Sequence, residues 1–150
     1  MEWQNDGFLL STDKSRLDLP YIHHFLSTES YWARGIPMDT VSRAVEGSLC
    51  FGIYAEGGQQ AGFARVVTDS ATFAYLADVF IDPSFRGQGL SKWMVGNIMQ
   101  HPQLQGLRRF LLATRDAHGL YRQFGFEAVP NPENLMGIRR DYPLPAEPEA

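Results

Sequence analysis

Apolar positions along the chain fall into short runs with strand-like or helical spacing. Phe8-Leu9-Leu10-Ser11 predicts a short strand, followed by a turn at Thr12-Asp13-Lys14. Leu17, Tyr21, Ile22, Phe25 and Leu26 then recur at helical spacing, predicting an amphipathic helix with Pro20 near its start. Ser27-Thr28-Glu29-Ser30 breaks that pattern, and Tyr31 to Pro37 reads as a loop or short helix. A second helix is expected after Met38, with Asp39 or Thr40 as its cap. Three antiparallel strands follow over residues 48–55, 60–67 and 71–81, separated by the turns Glu56-Gly57-Gly58-Gln59 and Thr68-Asp69-Ser70. Leu90, Met94, Val95 and Ile98 mark one face of a helix that ends at His101-Pro102. Arg109 to Thr114 reads as another strand. Ala117, Leu120, Tyr121 and Phe124 form a short helix, with Asp116 as its cap and Gly125 as its stop. Residues 126–129 and 135–139 complete the pattern as two strands, and no internal repeat is visible.

At 150 residues, with 44% hydrophobic and 20% charged positions, the chain suits one domain with its own core. That domain is expected over residues 1–142, and the Pro/Glu/Ala-rich residues 143–150 as a mobile tail. A net charge of −4 with no basic stripe counts against a nucleic-acid partner and suits a cationic amine. Met1 leads into polar Glu2, Gln4, Asn5 and Asp6 rather than a secretory apolar region. No apolar run reaches the ~18 residues of a membrane span, so neither export nor a membrane is expected and the cytoplasm is the default setting. The single cysteine, Cys50, excludes an intrachain disulfide and reads as a small core residue. His23 and His24 are adjacent, which points them ~100° apart on a helix and makes a poor metal pair; no metal site is expected.

The chemistry concentrates at Asp82-Pro83-Ser84-Phe85-Arg86-Gly87-Gln88-Gly89-Leu90-Ser91, between a strand and a helix. Backbone N–H groups at such a helix start have no carbonyl partners and carry the positive end of the helix dipole. Gly87 and Gly89 allow a phosphate to approach the backbone closely. The NTPase phosphate loop is not matched, and the third glycine of a dinucleotide fingerprint falls on Lys92. The bland alternative is an ordinary strand–helix connection.

Arg86-x-x-Gly89-x-Ser91 resembles the [QR]-x-x-G-x-[GA] pyrophosphate motif of the GNAT superfamily of acyl-CoA-dependent N-acyltransferases, with Ser91 a small departure at the last position. Ala117-x-x-Leu120-Tyr121-x-x-x-Gly125-Phe126 resembles the same family's A-x-x-L-Y-x-x-x-G-F segment, and the likeness spans roughly residues 51–129. The resemblance implies an α/β (α+β) fold: a mixed, mostly antiparallel sheet with helices on both faces and a splayed central strand pair. The pantetheine arm of acetyl-CoA, the implied cosubstrate, would pair with the backbone of Val79, Phe80 and Ile81 in that gap. Gly87, Gln88, Gly89, Leu90 and Ser91 would hold the pyrophosphate, with Arg86 adding charge or bracing the loop. Thr114 stands where the family often has a cofactor-contacting Asn.

Tyr121 corresponds to the family's general acid, which protonates the departing thiolate; its bland reading is a packing aromatic. The implied acceptor is a primary amine of a small molecule or peptide, and a homodimer is left open. Tyr31, Trp32 and Arg34 lie where the acceptor-binding loop is expected, with Arg34 a candidate partner for a carboxylate. His118, one turn before Tyr121, is a candidate lining residue. Ala77 replaces a Glu seen in similar polyamine acetyltransferases. Asp78 is a candidate substrate-site residue, although strand alternation would put it on the opposite face from Ala77 and favour a structural hydrogen bond. Asp116, His118 and Ser91 lack a nucleophile elbow, which counts against a catalytic triad. A non-catalytic acyl-CoA-binding module with the same fold is the alternative function.

Overall fold

The computed structural model describes residues 1–144. Six strands form one sheet in the order β1-β2-β3-β4-β5-β6: Glu2–Asn5, Phe8–Ser11, Leu49–Tyr54, Gln60–Thr68, Phe73–Ile81 and Arg109–Leu112. All neighbours are antiparallel except β5 and β6, which run parallel. The α-helices are α1 (Leu19–His24), α2 (Met38–Glu46), α3 (Leu90–Gln100) and α4 (His118–Arg122). Helix α3 supplies the crossover that a parallel β5–β6 pair requires. The expected fold class is therefore the observed one.

Two cores sandwich the sheet. Leu90, Met94, Val95 and Ile98 of α3 pack with Phe51, Ala64, Leu76 and Ile81 on one face. Ile22, Phe25 and Leu26, with Val41 and Val45 of α2, pack with Cys50, Phe63 and Phe80 on the other. Phe80 stacks on Phe25 with ring centroids 3.9 Å apart and planes 13° from parallel. This contact ties the first helical layer to the strand that carries the site.

Two features of β5 decide the site. Its pairing with β6 runs from Phe73↔Arg109 to Leu76↔Leu112 and stops there, although β5 continues to Ile81. Residues 77–81 thus keep one edge free of strand pairing. On the other edge, Phe63 pairs with Phe80 and Arg65 with Ala77, so Ala64 faces both Asp78 and Val79. This is a β-bulge, and Asp78 takes a left-handed φ of 56° at it. The bulge shifts the alternation: Ala74 and Leu76 belong to the α3 core, whereas Phe80 joins the α1–α2 core and Ile81 returns to the first.

Several expected elements differ. The N-terminal hairpin partner β1 was not anticipated; Asp6 and Gly7, with φ of 48° and 83°, make the tight turn that Asp-Gly pairs favour. Helix α1 is capped by Asp18, whose carboxylate accepts from the Tyr21 N–H at 3.0 Å, and it widens into a π-turn over Phe25–Glu29 instead of breaking at Ser27. Helix α2 begins after Pro37 without a side-chain cap, and Asp39 pairs with Arg43 one turn on at 3.0 Å. Asp116 does not cap α4: Thr114 Oγ1 accepts the Ala117 N–H at 3.0 Å. The strands expected at 126–129 and 135–139 are absent, because these segments form no ladder hydrogen bonds. Phe126 is held instead by its N–H to the Tyr121 carbonyl at 3.2 Å and by its ring against Phe110. Met136 and Ile138 are exposed. Of the expected tail, Pro143 and Leu144 lie beside Gly35, and residues 145–150 are outside the described residues.

Truncating Phe25 to Ala should remove the stack on Phe80 and lower stability by about 3–5 kcal/mol, the usual loss for a buried Phe. Chemical denaturation measures this. A loss below about 1 kcal/mol would mean that the ring is not packed as described.

Candidate active site

The turn after β5 is built from its own side chains. Asp82 accepts from the Ser84 N–H at 2.9 Å through one oxygen and from the Tyr21 hydroxyl at 2.7 Å through the other. Arg86 Nε donates to the Ile81 carbonyl at 3.1 Å, so this residue braces the end of β5. Gly87 and Gly89 adopt φ of +82° and +75°, a region unfavourable to other residues, and a Cβ at either would meet nothing within 4 Å. The first backbone bond of α3 runs from Trp93 N to Gly89 O at 3.0 Å, leaving the preceding N–H groups of the helix start without intrahelical acceptors. A cavity of about 450 Å³ opens here, lined by Val79, Phe80, Ile81, Arg86, Gly87, Gly89, Leu90, Ser91 and Tyr121. Gln88 is the exception among the expected anion-binding residues; its side chain turns back to the Phe85 carbonyl at 3.3 Å and does not line the cavity.

Tyr121 lies on α4 with its side chain mostly buried. Gly125, at a φ of +92°, lets the chain reverse so that the Phe126 N–H reaches the Tyr121 carbonyl, a helix-end motif that fixes the turn behind the phenol. Burial, followed by the neighbouring Tyr31 and Asp116, pushes the Tyr121 hydroxyl up to about 12. It therefore stays protonated through the physiological range and retains a proton to give.

A second cavity of about 560 Å³ shares Tyr31, Trp32, Val79, Asp116, Ala117 and Tyr121 with the first. Tyr31 and Trp32 pack edge to face at 5.0 Å and bridge the gap beyond the end of β5–β6 pairing. The Tyr31 hydroxyl accepts from the Arg115 backbone N–H at 3.0 Å, and the Arg115 guanidinium sits over the Tyr31 ring, 3.9 Å from its centroid. The Trp32 indole N–H donates to Asp78 Oδ1 at 2.8 Å. Asp78 Oδ2 accepts from Arg65 Nε, and both of these side chains are largely buried.

This geometry corrects the expected orientation of Asp78. Simple alternation pointed it away from the face of Ala77, but the bulge adds one residue and both Ala77 and Asp78 line the second cavity. Thr114 lines that cavity too. Arg34 and His118 are exposed and line neither cavity, so the structure does not bring them to the site. Arg65, Arg115, Arg139 and Tyr142 do line the second cavity and went unrecognised, because each comes from a different segment and no local motif marks it. Among the described residues no group of three His, Cys, Asp or Glu side chains could hold a metal, and no helix is long and apolar enough to cross a membrane.

A split parallel strand pair, a glycine turn at a helix start and a buried tyrosine thus meet at one cleft. The profile of the acetyltransferase (GNAT) family matches residues 16–126. FG08082 of Gibberella zeae, assigned by name to the acetyltransferases, is 34% identical, with 91% of this chain and 88% of that protein aligned. GCN5-related N-acetyltransferase 1, chloroplastic, of Arabidopsis thaliana is 26% identical over 90% of this chain and 68% of its own length. The crystal structure of a GNAT-family protein of Xanthomonas campestris pv. campestris (xcc2953) superposes with a TM-score of 0.86 at 51% identity, covering 89% of this chain and 93% of that one. The chain belongs to the GNAT acetyltransferase family.

The buried Arg65–Asp78 pair makes the bulge sensitive to charge. Asp78→Ala should leave Arg65 unpaired and cost about 3 kcal/mol in chemical denaturation. Asp78→Asn should cost less, since its amide oxygen still accepts from Trp32. Equal, small losses in the two variants would show that the pair does not hold the bulge.

Proposed function

We propose that this protein transfers an acetyl group from acetyl-CoA to a primary amine of a small molecule or peptide, by direct attack with Tyr121 as general acid. One observation carries the reading: the free edge of β5, the glycine turn and Tyr121 all border the same cavity. The N–H groups at Gly87–Ser91 would take the pyrophosphate, with Gly87 and Gly89 leaving room for it. The unpaired backbone at Val79–Ile81 would hold the amides of the pantetheine arm. Bound acetyl-CoA supplies the thioester, whose C–S bond breaks as the bond from acetyl carbon to acceptor nitrogen forms. Tyr121 gives its proton to the departing sulfur, the nitrogen releases a proton to solvent, and solvent returns one to the Tyr121 phenolate.

Asp78 is a poor base here, since Arg65 and Trp32 engage its two oxygens. The acceptor therefore reacts as the free amine. Amines that titrate like lysine do so near ~10. The rate should rise with pH along each acceptor's own ionisation and move to lower pH for acceptors of lower pKa. Tyr121 imposes no downturn until it ionises at about 12. Asp78→Asn should leave the rising limb in place; a limb fixed across acceptors but displaced in this variant would make Asp78 the base.

A thiol-release assay with acetyl-CoA over an amine panel tests the reading. Tyr121→Phe should lower turnover by about 10²-fold with acetyl-CoA affinity retained. Gly89→Asp, which adds a side chain at a positive φ and a negative charge at the turn, should abolish calorimetric binding of acetyl-CoA. Acetyl-CoA binding without thiol release from any amine would leave a non-catalytic binding module in place of the enzyme.

A further inference from the structure

The net charge of −4 favours a cationic acceptor, but the second cavity has a different local balance. Its lining carries the arginines Arg65, Arg115 and Arg139 and the carboxylates Asp78 and Asp116. Arg65 and Asp78 neutralise each other, leaving Arg115 and Arg139 against Asp116. Arg115 has no ion pair among the described residues. Its guanidinium is held over Tyr31, and a stacked guanidinium keeps its N–H donors free along its edges, suited to a planar or tetrahedral oxyanion. Arg139 contacts Asp141 at 3.2 Å, with both side chains mostly exposed, and an arriving anion can replace such a partner at little cost. An acceptor with a second ammonium would find no carboxylate at Ala77, an Asp78 whose oxygens are both engaged, and Asp116 alone on the lining to receive it, against Arg115 and Arg139. Tyr31, Trp32, Tyr75 and Tyr142 add aromatic surface to the same lining.

Resting on the transferase reading, we propose that the acceptor is an amine bearing an anionic group, a carboxylate or a phosphate, recognised by Arg115 and Arg139. The carboxylate partner that the sequence suggested in Arg34 is replaced by residues from the β6–α4 loop and the C-terminal segment.

Matched acceptors separate this from the transferase reading itself. With acetyl-CoA as donor, kcat/KM is measured by thiol release for phenylalanine against 2-phenylethylamine, for O-phosphoethanolamine against ethanolamine, and for spermidine. The anionic member of at least one pair should exceed its neutral-tailed partner and spermidine by about tenfold or more, and the pair that responds identifies carboxylate or phosphate. Arg115→Gln should raise KM for that acceptor about ten- to a hundredfold, the loss of a charge-assisted contact, while KM for acetyl-CoA stays constant. The loop anchor survives this change because Tyr31 is bound by the Arg115 backbone N–H. Arg139→Gln should act in the same direction and Arg34→Gln should not. Transfer with equal or higher kcat/KM for the neutral-tailed amines or spermidine overturns the proposal and leaves the transferase reading standing. So does an unchanged KM in both Arg115→Gln and Arg139→Gln. No transfer to any of these amines, with acetyl-CoA bound by calorimetry, overturns the proposal and counts against the transferase reading as well.

Discussion

The bulge at Asp78 is the constraint on which the site depends. One extra residue in β5 opposite Ala64 reverses the strand's phase halfway along. Before it, the α3 core receives Ala74 and Leu76; after it, Phe80 reaches the opposite core and stacks on Phe25. The same residue presents its carboxylate to Arg65 and Trp32. An aspartate tolerates a left-handed backbone better than most residues, and the buried guanidinium gives it an electrostatic reason to remain there. Beyond Leu76, β5 has no pairing with β6, which leaves backbone groups available along the gap.

The two layers of the fold contribute different halves of the cleft. The α3 side supplies the glycine turn and, through α4, Tyr121. The α1–α2 side supplies Tyr31 and Trp32, whose loop reaches across to the Arg115 backbone and to Asp78. Tyr121 lies where both cavities meet, so a phenol held neutral by burial borders the two together. Long-range charge and local charge diverge in this arrangement. The chain as a whole is acidic, yet the pairing of Arg65 with Asp78 leaves arginine in excess along the wall of the second cavity.

Local patterning determined much of this protein. The apolar run into Asp82-Pro83, the glycines at 87 and 89 and the helical spacing of Leu90, Met94, Val95 and Ile98 specify strand, turn and helix from neighbouring residues alone. The glycine turn at the cavity was legible for that reason, as were Tyr121 on its short helix and the aromatic pair Tyr31-Trp32. Tertiary structure decided the rest. Period-two alternation cannot register an inserted residue, so the direction of Asp78 became clear only from its pairing with β4. The segments at 126–129 and 135–139 have apolar residues that suit strands, but a strand exists only where a partner supplies hydrogen bonds, and these segments have none. Arg34 and His118 sit beside site residues in sequence yet face outward, while Arg65, Arg115 and Arg139 converge from distant segments. Sequence fixes chemistry that contiguous residues can express through backbone conformation; the wall of the second cavity is a meeting of side chains far apart in the chain, and only packing brings them together.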